Sequence, residues 1–185
     1  MPLTVKETEL PGVLMIESGM YSDSRGFCKD IYQLDEYLSS GLDMIFVQDN
    51  HSHSVKNVLR GIYYQAKDPL GKLVMAVTGE IYDVAVDIRV GSPYFGKWTG
   101  IYLSPYNNRQ LYIPEGFAHG FCVLSDSADV IYKCTRYYKA GDDYGILWSD
   151  PDLDINWPVK DPIISEGDKR SPKLADIPPT DLPVY

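Results

Sequence analysis

Three histidines, a few basic side chains set among apolar neighbours and several paired tyrosines are the residues here with chemistry to offer. His51-Ser52-His53 would place two imidazoles on one face of a strand, a common beginning of a metal site but equally an ordinary strand pattern. His119 closes the run Pro114-Glu115-Gly116-Phe117-Ala118-His119. Arg60 follows apolar Val58-Leu59, and if enclosed it needs an anionic partner, either a ligand phosphate or an internal carboxylate. Lys72, after Gly71, poses the same choice. Tyr132 lies in the strand run Asp129-Val130-Ile131-Tyr132-Lys133, where a phenol packs its ring and must find a partner for its hydroxyl. Tyr63-Tyr64 and Tyr137-Tyr138 suit either a core or the face of a planar ligand.

Positioning these groups requires strands. Fifteen tyrosines, thirteen prolines and fifteen glycines in 185 residues favour strands joined by turns. Strands are predicted at Met44–Ser54, Val58–Gln65, Lys72–Val77, Glu80–Ile88, Lys97–Leu103, Arg109–Ile113, Gly120–Leu124 and Asp129–Thr135. In Glu80–Ile88 the residues Ile81, Asp83, Ala85 and Asp87 point one way and Tyr82, Val84, Val86 and Ile88 the other. Turn residues such as Thr78-Gly79 and Pro105-Tyr106-Asn107-Asn108 separate the runs. So many short strands predict an all-β sandwich or barrel, with the jelly roll a match in size. One short helix is predicted over Gln33–Ser39. From about residue 149 apolar periodicity fades, which predicts a segment wrapped over a single domain.

Twenty-six acidic against seventeen basic residues give a net charge of −9, which repels nucleic-acid backbones and anionic lipid. The odd, widely spaced Cys28, Cys122 and Cys134 form no disulfide framework and suit a reducing compartment. No signal-peptide core or run of eighteen apolar residues occurs, so the expected setting is cytoplasmic, away from membranes.

The segment Pro114–His119 matches the P-x-G-x-x-H element of the cupin barrels, yet no glutamate follows His51 and His53 where a first cupin metal motif would need one. A wider match is more specific. Asp23-Ser24-Arg25-Gly26-Phe27, Phe46-Val47-Gln48-Asp49-Asn50, Val58-Leu59-Arg60-Gly61, Gly71-Lys72-Leu73-Val74, Gly79 to Asp87, Ser92-Pro93-Tyr94-Phe95-Gly96, Ile113 to Phe121 and Tyr132-Lys133 together resemble the dTDP-4-dehydrorhamnose 3,5-epimerase family over almost the whole chain. The resemblance implies a cupin-type jelly roll, a homodimer, neither metal nor other cofactor, and a nucleotide-linked 4-keto-6-deoxy sugar as substrate. The family's reaction removes a proton beside the ketone from one face and returns one to the other, through an enolate that the site must stabilise.

Carried over by position, the resemblance sets Lys72 and His119 at the sugar, Tyr132 as the acid and Asp168 as the carboxylate that orients the base. Arg25, Gln48, Asp49, Asn50 and Arg60 fall at nucleotide and pyrophosphate contacts, where arginine's donor fork suits phosphate oxygens. Asp30, Tyr138 and Asp143 are the remaining substrate-binding positions, with Asp30 and Asp143 standing where the family has glutamate. The main departure is Tyr63, at the position where the family has its catalytic histidine. A phenol of pKa ~10 is ionised about one part in a thousand at neutral pH, so Tyr63 would start ~4 kcal/mol behind an imidazole unless the site lowers its pKa.

The expected function is therefore epimerase-like isomerisation, with restriction to one carbon a consequence of Tyr63. The alternatives are a ketoisomerase on the same substrate class and a catalytically impaired sugar-nucleotide-binding protein.

Overall fold

Short apolar-polar alternations broken by turns cannot satisfy their backbones locally, so they pair across long sequence distances. The computed structural model describes residues 3–185. Its strands are β1 (Thr4–Glu7), β2 (Leu14–Glu17), β3 (Tyr21–Asp23), β4 (Gly26–Cys28), then, after helix α1 (Leu34–Ser39), β5 (Gln48–Val55), β6 (Leu59–Gln65) and β7 (Lys72–Thr78). There follow β8 (Ile81–Asp87), β9 (Trp98–Leu103), β10 (Arg109–Ile113), β11 (Phe117–Val123), β12 (Ser127–Cys134) and β13 (Asp143–Gly145). They form a six-stranded sheet in the order β1-β2-β10-β7-β12-β5, a five-stranded sheet β13-β6-β11-β8-β9 and a separate β3-β4 hairpin. Neighbouring strands in each sheet pair antiparallel, and the two larger sheets make an all-β jelly roll.

Period-2 alternation explains how the sheets pack. Along β8, Ile81 and Ala85 enter the core between the sheets with Val74, Leu111, Phe121 and Val130, while Tyr82, Val84 and Val86 enter a second core. That second core lies under the C-terminal segment, which contributes Trp157, Leu174, Ile177 and Leu182. A third cluster joins Leu73 and Met75 to Tyr37 of α1 and to Leu42. Each large aliphatic side chain so enclosed contributes roughly 1.5–3 kcal/mol. Both faces of β8 are therefore buried.

The end of β8 is anchored by charge. Asp87, wholly buried, accepts hydrogen bonds from Arg89 Nη2 at 2.6 Å, Arg89 Nε at 3.0 Å and Ser92 Oγ at 2.7 Å. The Arg89 guanidinium lies over the rings of Phe117 at 4.3 Å and Tyr185 at 4.7 Å. Beside it Val90 bridges Val184, with its N–H donating to Pro183 O at 2.8 Å.

Some boundaries differ from expectation. The first long strand begins at Gln48 rather than Met44, because Met44 and Phe46 pack against the α1 cluster instead of joining the ladder. Strand β11 begins at Phe117, three residues before its expected start, so His119 sits on a strand rather than in a turn. Helix α1 starts one residue after Gln33, and of its apolar residues only Tyr37 is buried. Among the described residues no helix is long and apolar enough to cross a membrane.

One irregularity matters for the site. Arg60 pairs with Phe121 and Tyr63 with His119, so β6 uses three steps where β11 uses two. This is a β-bulge, and it sets Arg60 and Tyr63 both opposite residues of the inner face of β11. Gly61 makes it possible: its φ is +127°, and a Cβ there would lie 2.5 Å from Gly120 Cα and 2.9 Å from His119 O. Gly61→Ala is expected to cost about 3 kcal/mol or more, through strain and backbone collision together. Urea denaturation measures this directly, and an unchanged midpoint would show that the strands can part there.

Candidate active site

A cavity of about 470 Å³ opens at one end of the sandwich. From the six-stranded sheet it receives Gln48 and Asn50 of β5, Lys72 of β7, and Tyr132 and Cys134 of β12; from the other it receives Tyr63. Register explains the first set, since Cys134 pairs with both Gln48 and Lys72, and Tyr132 pairs with Asn50. All five therefore share the inner face.

Behind Lys72 runs a buried polar chain. His119 Nε2 lies 2.8 Å from Asp83 Oδ1, and His119 Nδ1 lies 3.3 Å from Lys72 Nζ. Burial lowers the pKa of His119, with Asp83 opposing and Lys72 adding to the shift, so the ring is neutral. An ionised Asp83 can only accept, which places the ring proton on Nε2 and leaves the Nδ1 lone pair for the lysine. Asp83 itself is fully buried, and its Oδ2 has no hydrogen-bond partner. Burial also lowers the pKa of Lys72, against the raising influence of Cys134 and Asp83.

Across the cavity, Tyr63 donates its hydroxyl to Asp168 Oδ1 at 2.7 Å. Asp168 is buried in the 3-10 turn Asp168–Arg170, and its N–H donates to Ser165 Oγ. Burial raises the pKa of Tyr63, and the hydrogen bond and charge of Asp168 raise it further. The site thus holds the phenol's proton in place, the reverse of the lowering that a tyrosine base requires. Tyr132 is likewise raised, by burial first.

At the cavity's other end Gln48 Nε2 donates to Asn50 Oδ1 at 3.0 Å and Gln48 Oε1 accepts from Tyr138 N–H at 3.0 Å. Tyr138 and Asp143 line the cavity as a hydrogen-bonded pair, which raises the phenol and lowers the carboxyl.

Four expected contact residues lie outside the cavity wall. Asp49 points to the opposite face of β5 from Gln48 and Asn50 and pairs with Lys133 at 2.7 Å, as strand alternation requires. Arg25 stands on the exposed β3-β4 hairpin, 87% accessible and paired with Asp23. Asp30 is exposed just beyond that hairpin. Arg60 is exposed rather than enclosed; it donates to Ser54 Oγ at 2.9 Å and to His53 O at 3.3 Å, and no carboxylate pairs with it among the described residues. His51 and His53 lie on the outer face, both within hydrogen-bond distance of Asp129 Oδ1.

Asp83 is a site residue that the motifs do not mark, although strand alternation does: a carboxylate alternating with Ile81 and Ala85 on an inward face needs a partner. Cys134 was visible only as a thiol; its place beside Lys72 comes from register.

A jelly-roll sandwich with a lysine, a histidine and two facing phenols converging on one end defines a cupin-like site suited to proton transfer at carbon. Comparison with known proteins is more specific, and the chain belongs to the dTDP-4-dehydrorhamnose 3,5-epimerase family, whose sequence profile matches residues 7–176. The dTDP-4-dehydrorhamnose 3,5-epimerase of Shigella flexneri is 49% identical over 176 residues, covering 94% of this chain and 97% of that protein. A dTDP-4-dehydrorhamnose 3-epimerase from Streptomyces niveus is 37% identical over 169 residues, 90% of this chain and 82% of that protein. The crystal structure of dTDP-6-deoxy-D-glucose-3,5-epimerase from Legionella pneumophila in complex with dTDP-4-keto-L-rhamnose superposes with a TM-score of 0.95 at 45% identity, covering 99% of this chain and 98% of that one.

Proposed function

We propose that this protein epimerises a dTDP-linked 4-keto-6-deoxy sugar at one or both carbons beside its ketone. The observation that carries the reading is that Lys72 and Tyr132 on one sheet meet Tyr63 on the other across a single cavity. The ketone acidifies the flanking C–H bonds. Once a proton leaves, negative charge gathers on the carbonyl oxygen, and Lys72, backed by His119 and Asp83, supplies a positive hydrogen-bond donor to hold it. The Tyr132 phenol, kept protonated by burial, returns a proton from the opposite face.

Gln48, Asn50 and the Tyr138–Asp143 pair form the nucleotide end of the cavity in this reading, and Arg60, exposed and without a carboxylate partner among the described residues, serves the pyrophosphate. The β3-β4 hairpin supports a homodimer in which Arg25 and Asp30 complete a neighbouring subunit's site. It pairs only with itself in a separate two-stranded sheet, and it exposes Tyr21 at 64% and Phe27 at 49%. No metal or other cofactor is required, and the working compartment is the cytoplasm.

The test is solvent-deuterium wash-in to dTDP-4-keto-6-deoxyglucose, followed by NMR. Entry of deuterium beside the ketone, with inversion at C3, C5 or both, is the expected result, and the pattern separates a one-carbon from a two-carbon enzyme. A migrated carbonyl would instead identify a ketoisomerase, and tight binding with inert C–H bonds a binding protein.

A further inference from the structure

An enolising site needs a group that accepts a proton from carbon, and here the obvious oxygen is unsuited. Tyr63 donates its own proton to Asp168. The other phenols on the cavity wall hold their protons more tightly than usual as well, Tyr64 and Tyr132 through burial and Tyr138 through its bond to Asp143. Cys134 is buried and its thiol is pushed up. The Asp143 carboxyl is pushed down and is the weaker base for it. One cavity-lining group has surroundings that move it toward its proton-accepting form, the amine of Lys72, through burial.

Resting on the epimerase reading, we propose that Lys72 is the base of this protein, its amine aimed by the Asp83–His119 chain and taking over the task that position 63 leaves undone. In the step, the C–H bond beside the ketone breaks, its proton joins the lone pair of Lys72 Nζ, and the bonding electrons move to the carbonyl oxygen as an enolate. Tyr132 then protonates carbon, and the ammonium proton returns to the Tyr132 oxygen through solvent, so no proton is gained or lost over the cycle.

The geometry serves both halves of the step. His119 Nδ1 is an acceptor 3.3 Å from Nζ; it holds one N–H of the neutral amine and leaves the rest of the nitrogen to the cavity. When the amine becomes an ammonium, the buried charge of Asp83, with one oxygen otherwise unpartnered, balances it across the imidazole. The ammonium then remains beside the new enolate oxygen as its donor. Facing Lys72 are Cys134 and Tyr132 from β12, His119 from β11, Asp83 from β8 and Tyr63 from β6; its β10 neighbour, Ile113, does not titrate.

Lys72→Arg separates a base from a mere cation, because a guanidinium keeps the charge but does not deprotonate. In wild type, deuterium entry should rise with pH through one ionisation below the ~10.4 of a free lysine and then level off. In Lys72→Arg that limb should vanish and exchange fall by about 10²-fold or more, with dTDP binding retained. Adding Tyr63→His to Lys72→Arg should restore exchange, with a limb near ~6.5. Exchange in Lys72→Arg within tenfold of wild type, following the same pH profile, would overturn the base assignment and leave the epimerase reading standing. A flat wild-type profile would overturn it without any variant. Absence of wild-type exchange at every pH, despite dTDP-sugar binding, would overturn both.

Discussion

Tyr63→His is expected to raise deuterium entry beside the ketone by about 10²-fold or more at neutral pH, the largest gain any single substitution should produce here. The present phenol donates to Asp168 Oδ1 over 2.7 Å. An imidazole in its place donates one ring N–H to the same carboxylate and turns the other nitrogen, unprotonated, toward the cavity. Most of an imidazole is competent at pH 7, against a phenol that is ionised about one part in a thousand even before burial and Asp168 raise its pKa. A lysine base must first lose its own proton, so the new imidazole acts in parallel with it. Asp168→Asn in the Tyr63→His background should remove about tenfold of the gain or more, because the amide no longer fixes the tautomer and orientation. NMR exchange rates of the three forms decide it. A Tyr63→His variant that folds, binds dTDP and exchanges no faster than wild type would show that position 63 does not face the reacting carbon.

The second large effect concerns stability. Asp87→Ala should destabilise the fold by roughly 3–5 kcal/mol, since it leaves the Arg89 guanidinium without its carboxylate in a largely enclosed place. The cation cannot swing into water without leaving the rings of Phe117 and Tyr185. For a chain of this length that corresponds to a melting temperature lower by roughly 6–20 °C. The pH dependence carries a sign. Burial alone would raise the Asp87 pKa, but the bonds from Arg89 and Ser92 prevail and hold it below its usual value. A depressed carboxyl contributes stability that is complete above its unfolded pKa of ~3.9 and is lost as pH falls through the lower folded value. Melting curves of wild type and Asp87→Ala should therefore converge as the solution is acidified below about pH 4. A gap that stayed constant would point to packing rather than ionisation.

Much of this molecule is written in alternation. The two faces of Glu80–Ile88 were separable by eye, and they enter two different cores. The same rule, applied to β5, would have set Asp49 apart from Gln48 and Asn50, which is where it lies. Alternation fails at β6. A regular strand would send Arg60 and Tyr63 to opposite faces, and the bulge at Gly61 brings both opposite inward residues of β11. Nothing local marks that bulge, because it depends on the contact between Gly61 and Gly120, which are 59 positions apart in the sequence. The carboxylate behind Tyr63 came from resemblance, since no periodicity links residue 63 to residue 168. The state of Tyr63 was beyond the sequence altogether: whether a phenol is encouraged or discouraged as a base depends on which side of its proton the carboxylate sits.

The order in which these strands pair also sets how the molecule is made. Gln48 finds Cys134, Tyr63 finds His119 and then Asp168, and Val90 finds Val184, all far apart along the chain. Each such closure costs entropy before any burial repays it, and topologies of this kind fold in milliseconds to seconds rather than microseconds. No hairpin of neighbouring strands contains the cavity, so there is no partly folded fragment in which Lys72, Tyr63 and Tyr132 already face one another. Proton-transfer competence therefore requires β6, β7 and β12 to be assembled together, and a chain in which any one of them is unpaired lacks the complete site.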